Sequence, residues 1–171
     1  LKVVSTEQKE KQHNYHLHIA IAPTKNMDRF EWFLEKATEI GIDEITPIIC
    51  SRSERKVIKT ERCNRILLSA MKQSLKFHLP KLNEAISLND FIKQDFEGTK
   101  YIAHCEEGNK TELKEKKKEK RTLMLIGPEG DFSPTEIEMV LQYQFKAVSL
   151  GTSRLRTETA GIIAAHTINI K

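Results

Sequence analysis

Cysteine is scarce in this chain of 171 residues: Cys50, Cys63 and Cys105 are odd in number and far apart. No CxxC pair or mixed His/Cys cluster has zinc-ligand spacing, so three reduced, structural thiols are expected. His13, His16 and His18 do lie close together, and His16 and His18 share one face of a strand. Without carboxylate or cysteine support they carry no metal site. Long apolar runs are missing too. None approaches the roughly 18 to 20 residues that a bilayer-crossing helix needs, and no charged leader followed by an apolar stretch opens the sequence. The expectation is a cytoplasmic protein with neither a metal nor a membrane as partner.

What is present suits one globular unit. With 39% hydrophobic and 30% charged residues the chain can bury one ordinary core, and no internal repeat is visible. The formal net charge of +4 is unevenly spread. Residues 51–81 hold nine Lys or Arg against two acids, and residues 110–121 hold seven against three, so the remainder is acidic. Such polarity suits an oriented polyanion partner.

Apolar periodicity outlines an α/β chain. Strands are expected at Leu17 to Ala22, Glu44 to Cys50 and Lys100 to His104, with an edge strand at Lys81 to Glu84. Asp28, with Glu31 three residues on, reads as the cap of a first helix that buries Phe30, Phe33, Leu34, Ala37 and Ile40 and stops at Gly41. Trp32 lies off that stripe and is expected to pack under a loop rather than to stack on a base. A second helix, Thr60 to Phe77, turns Ile66, Leu67, Ala70, Met71 and Ser74 inward and sets Arg62, Arg65, Lys72 and Lys76 on one stripe, either a solvated face or a phosphate track. Ser87 caps a short helix. Glu106 to Lys120 reads as an exposed helix or loop, and the first twenty residues resemble a hairpin.

Two strand-loop-helix junctions organise the whole. Leu123-Met124-Leu125-Ile126 is a buried strand that Gly127-Pro128-Glu129-Gly130 must end, since Pro128 has no donor and Gly130 invites an unusual backbone angle. Ser133, Pro134 and Glu136 then form a capping box. About twenty residues later Ala147 to Leu150 runs into Gly151-Thr152-Ser153-Arg154-Leu155-Arg156, and Thr157-Glu158-Thr159-Ala160-Gly161 heads a final apolar helix. Open α/β sheets bind ligands where strands end in such loops. No lysine followed by Ser or Thr comes after Gly127, and Glu129 and Asp131 would repel phosphate, so a nucleoside triphosphate is not expected.

The strings GPEGDFSPTEIE and SLGTSRLRTETA, with Met27 to Trp32 and Glu35 to Gly41 upstream, resemble the SPOUT class of RNA methyltransferases. More narrowly they are similar to the RsmE family, which methylates N3 of a uridine in small-subunit (16S) ribosomal RNA with S-adenosylmethionine. The resemblance implies a SPOUT-type sheet, mostly parallel, with helices on both faces and a C-terminal trefoil knot. It also implies that residues 1–15 are the remnant or linker of an N-terminal PUA-like barrel and residues 16–171 the methyltransferase domain. Position by position, the cofactor cleft should be lined by Leu125, Gly127, Pro128, Glu129, Gly130, Leu150, Gly151, Leu155, Arg156, Thr159 and Ala160. The family's usual string has a second glycine where this chain has Asp131, which can nonetheless adopt a positive φ.

For the chemistry, Arg156 is the candidate to orient the uracil and stabilise its anion, and Glu158 to take the proton or position Arg156. The family's polar string near the end of the second helix is matched at Gln73 and Ser74, with Lys76 in place of its arginine. RNA contacts are expected from Gln73, Lys25, Arg52 and Arg55 beside the basic stripe. Ribosomal RNA or the small subunit is the expected partner, and the final helix, apolar on more than one side, implies a homodimer. The alternatives are another SPOUT enzyme, acting on ribose 2′-hydroxyl or transfer RNA, and a non-catalytic RNA-binding module of ribosome assembly.

Overall fold

The computed structural model describes residues 4–6, 13–117 and 119–170, so residues 1–3 and 7–12 of the hairpin expected in the first twenty lie outside the described ones, while its second arm from His16 is a strand paired in parallel with two strands from later in the chain. In chain order the elements are β1 (His16–Ile21), α1 (Met27–Ile40), β2 (Glu44–Ile49), α2 (Thr60–Gln73), β3 (Lys81–Leu82), β4 (Ile86–Ser87), α3 (Leu88–Phe91) and β5 (Thr99–Ala103). There follow β6 (Thr111–Glu112), a 3-10 turn (Leu113–Glu115), β7 (Arg121–Ile126), α4 (Pro134–Gln142), β8 (Lys146–Ser149) and α5 (Thr157–Asn169). The strands form one sheet in the order β3-β2-β1-β7-β5-β8-β6, with β4 also paired to β2, and the paired strands are parallel throughout. This is the mostly parallel sheet, with helices on both faces, that the sequence implied.

A parallel sheet is covered on both faces, and alternation along each strand divides the apolar residues between them. Leu17, Ile19 and Ile21 of β1, with Met124 and Ile126 of β7, pack against Phe30, Phe33 and Leu34 of α1, Cys63 and Leu67 of α2, and Ala164, Ala165 and Ile168 of α5. Ala20, Leu123 and Leu125 point the other way, to Leu88 and Phe91 of α3 and to Phe132, Ile137 and Val140 around α4.

Helix ends refine several expectations. The cap of α1 is Asn26, whose Oδ1 accepts from Asp28 N at 3.0 Å. Asp28 sits inside the first turn, where the helix dipole favours it. Trp32 is 44% exposed rather than tucked under a loop, because it lies on the outer side of the stripe that buries Phe30 and Phe33. Helix α2 ends at Gln73, short of Phe77, where Ser74 closes it and Leu75 turns to φ +54°. The polar stretch from Glu106 supplies β6, an edge strand on β8, because Leu113 beside it is buried in the core.

Candidate active site

The adjacent strands β7, β5 and β8 end side by side, and the loops that leave them form a cavity of about 780 Å³. That is ordinary for a small-molecule site. The first wall follows β7. Its turn closes with Asp131 N donating to Pro128 O at 2.9 Å, and Asp131 takes the left-handed φ of +62°. A Cβ on Gly127 would lie 3.0 Å from the buried Phe132 ring, so the strand can turn so tightly only without a side chain there. Ser133 then caps α4 in a full capping box with Glu136. Glu136 also accepts from Ser51 N at 2.7 Å and Ser51 Oγ at 2.8 Å, which ties the end of β2 to α4. Burial pushes the Glu136 carboxyl up, but the Ser133 and Ser51 hydrogen bonds outweigh it and hold the group below the usual range.

The second wall follows β8. Ser149 Oγ accepts from Gly151 N at 3.2 Å and donates to Gly151 O at 2.9 Å, while Gly151 takes φ +124°. A Cβ built there would meet nothing within 4 Å, so its backbone edge is open to a ligand. At the head of α5, Thr157 Oγ1 donates to Gly127 O at 3.0 Å in a buried bond that clamps the two junctions together.

Of the residues expected in the cleft, Gly127, Pro128, Glu129, Leu150, Gly151, Leu155, Arg156 and Ala160 line it. Leu125 does not: strand alternation sends its side chain to the α4 face, and Ile126 lines the cavity instead. Gly130 faces Arg52, whose Cβ would lie 3.2 Å from a Cβ added there. Thr159 is half-buried outside the lining, since successive residues on a helix point about 100° apart. Sequence reasoning missed the third wall, made of Ala103 at the end of β5 and His104, Cys105 and Lys110 after it, and it left out Asp131 of the first wall and Thr152 to Arg154 of the second. The only signal was the expected strand at Lys100 to His104. Burial, then the charge of Lys110, lowers the His104 pKa, favouring a neutral imidazole. Burial, then Asp131, raises the Cys105 thiol.

The expected catalytic pair is divided. Arg156, exposed at the N-cap of α5, lines the cavity. Glu158, 6% exposed, does not. Two residues further round the helix, it turns away, with Oε1 3.8 Å from Arg29 Nε and Oε2 buried with no hydrogen-bond partner among the described residues.

The basic residues divide as well. Arg52 Nη1 donates to Gly130 O at 2.9 Å, and Arg55 donates to Lys25 O at 2.8 and 3.1 Å. Lys25 pairs with Glu54 at 2.7 Å, and its backbone N donates to Glu129 at 2.9 Å. Lys25 and Arg52 therefore brace the Glu129–Gly130 turn, with Arg55 holding the Lys25 backbone behind it. Arg62 makes a two-pronged pair with Glu31 of α1. Arg65, Lys72 and Gln73 are exposed on α2 and Lys76 is half-buried beyond it. Among the described residues no group of three or more His, Cys, Asp or Glu could hold a metal ion, and no helix is long and apolar enough to cross a membrane.

Comparison with known proteins agrees with this geometry. Residues 11–169 match the family described as RNA methyltransferase domain. The ribosomal RNA small subunit methyltransferase E of Mesomycoplasma hyopneumoniae is 32% identical over 151 residues, covering 85% of this chain and 65% of that protein. The chain thus spans less than two thirds of that relative's length. A crystal structure described as a probable rRNA-methyltransferase from Porphyromonas gingivalis superposes with a TM-score of 0.89 at 44% identity, covering 96% of this chain and 72% of that one. The Neisseria gonorrhoeae ribosomal RNA small subunit methyltransferase E, bound to S-adenosyl methionine, gives 0.81 at 27% identity, covering 94% and 67%. With almost its whole length matched, and a cleft built from the two junctions its sequence singles out, this chain belongs to the RNA methyltransferase domain family.

Proposed function

We propose that this chain is the methyltransferase domain of an enzyme that methylates N3 of a uridine in small-subunit (16S) ribosomal RNA with S-adenosylmethionine. The observation that carries the reading is the cleft at the ends of β7, β5 and β8, edged by glycine backbone and lined by both acids and bases. Its residues fit the cofactor: there is room for a nucleoside with an amino-acid tail, and Glu129 and Asp131 suit a sulfonium cation while disfavouring a triphosphate. S-adenosylmethionine supplies an activated methyl group there. Gly127, Pro128, Glu129, Leu150, Gly151, Leu155, Arg156 and Ala160 hold it, and Leu125, Gly130 and Thr159 shape the loops from behind.

Arg156 orients the uracil, and its guanidinium offsets the negative charge on the carbonyl oxygens once the N3 proton has left. Glu129 lines the cavity and Glu158 does not, which favours Glu129 as proton acceptor and leaves Glu158 to steady the first turn of α5. Arg65, Lys72, Gln73 and Lys76 meet the RNA backbone, with Arg62 drawn in if it releases Glu31. The chain acts in the cytoplasm as a homodimer through α5, whose Ile162 and Ile163 stay half-exposed and whose end leaves Ile170 66% exposed. Residues 1–15 join residues 16–171 to a PUA-like barrel, and the C-terminal segment is knotted.

The test is incubation of small ribosomal subunits with the chain and S-adenosylmethionine, followed by mass spectrometry of the digested nucleosides. Methyl on uridine N3, with the Arg156→Ala variant slower by about 100-fold or more, is the expected result. Methyl on a ribose oxygen would indicate a different enzyme of the class, and RNA binding without methylation would indicate an assembly module.

A further inference from the structure

The segment His104 to Lys110 gives the cleft its third wall through His104, Cys105 and Lys110; it is exposed from Cys105 to Asn109 and contains no helix or strand. Lys110 Nζ donates to His104 O at 2.9 Å and to Glu106 O at 2.7 Å, which folds the segment into a closed loop. That loop is tied to the rest of the site by Asp131. One carboxylate oxygen accepts from Phe132 N at 2.8 Å, and the other reaches across to accept from Cys105 N at 2.7 Å. Asp131 does this from a left-handed backbone, φ +62°, that a glycine would adopt without strain. What the position gains from aspartate is therefore the carboxylate, and both of its oxygens are spent on backbone N–H groups at the cavity edge.

We propose that Asp131 is a positioning residue of the cofactor site: it latches the His104 to Lys110 segment onto the glycine junction and so holds the third wall against bound cofactor. This rests on the S-adenosylmethionine reading above. The latch is a charge-assisted hydrogen bond, the stronger kind, and it acts on a wall without helix or strand from His104 to Lys110. Its loss lets the wall swing open, which weakens binding without unfolding the sheet.

The test uses the full chain with Asp131→Asn, which tolerates the left-handed turn, and Asp131→Gly, which prefers it. Two quantities are read: calorimetric affinity for S-adenosylmethionine, and the rate at which iodoacetamide alkylates Cys105. Cys105 is exposed, whereas Cys50 and Cys63 are buried with thiols pushed up by burial, so the rate belongs to Cys105. Burial and the Asp131 carboxylate hold its thiol above the ordinary value, and losing that charge alone raises the thiolate fraction; the rates are therefore taken across a pH series and compared per thiolate, so that the remaining difference reports how open the wall is. Both variants should react several-fold faster per thiolate at Cys105 and bind S-adenosylmethionine about tenfold more weakly, while each still unfolds in one cooperative transition. Faster alkylation with unchanged affinity would overturn the assignment to the cofactor site, and no change in either would overturn the latch itself. A folded parent chain that binds no S-adenosylmethionine would sink the function and the cofactor role together, while the alkylation rate would still report the latch.

Discussion

Replacing Gly161 by alanine sets two effects of opposite sign against each other. Within an exposed helix the change would stabilise, by roughly 1 kcal/mol, because glycine is the poorer helix former. Here a Cβ would stand 2.6 and 2.8 Å from Phe33 Cε2 and Cδ2 and 3.0 Å from Ile21 Cδ1, where ordinary contact begins near 3.4 Å. Phe33 and Ile21 are both fully buried, Phe33 on α1 and Ile21 in the central strand β1, so neither has a free end that can give way. Overpacking of this kind costs typically 1 to 3 kcal/mol, and so close an approach belongs at the upper end. The steric term wins by about 1 to 2 kcal/mol, which for a chain of this length lowers the melting temperature by roughly 2 to 8 °C. Urea denaturation followed by circular dichroism, with a thermal scan beside it, measures both. The same variant should weaken cofactor binding, because α5 carries Arg156 at its N-cap and Ala160 on the cavity wall. A Gly161→Ala chain as stable as the parent, or more so, would refute the close α1–α5 packing on which the position of Arg156 depends.

Other expectations follow from the same structure. Burial drives the pKa of His18 down to about 4, and its Nε2 pairs with Thr46 Oγ1 at 2.7 Å. The unfolded chain takes up a proton near the ordinary value of about 6.5 that the folded chain refuses. Stability attributable to neutral His18 should therefore be whole above pH about 6.5 and fall away toward pH about 4, where the folded imidazole is finally protonated. Urea midpoints across that range should show the decline, and a His18→Gln variant should flatten it. On the basic helix, the Arg65→Ala, Lys72→Ala double variant should flatten the salt dependence of ribosomal RNA binding by roughly 0.7 to 0.9 log units for each phosphate no longer neutralised. Arg62→Ala should change it less, since Arg62 already faces Glu31. Glu129→Gln should slow methylation more than Glu158→Gln at saturating cofactor, and the reverse order would return the proton-acceptor role to Glu158.

Much of this architecture is legible in the chain because it is written locally. The central strands, the capping box at Ser133 and the two glycine junctions each depend on neighbours within a few residues, and all stand where periodicity and turn chemistry put them. What was not legible depends on strand order. The third wall at His104 and Cys105 belongs to the cleft only because β5 lies between β7 and β8 in the sheet, a placement that no local pattern encodes. The side a residue faces was harder still: Leu125 and Ile126 look alike in a buried run, yet only one of them lines the cavity. Long-range contacts of the charged residues were hidden for a related reason. Arg52 and Arg55, expected to contact RNA, also donate to backbone carbonyls in loops 78 and 30 residues away along the chain, which no local pattern announces. Glu158 shows the same limit, since its place in a first helical turn suits the helix dipole and says nothing of which way the side chain turns.

Whether the paired junctions form a working cofactor cleft is decided by calorimetric titration with S-adenosylmethionine. Saturable binding, abolished or much weakened in Arg156→Ala and absent with ATP, is the predicted result. A folded chain that binds neither ligand, or binds ATP in preference, would contradict it.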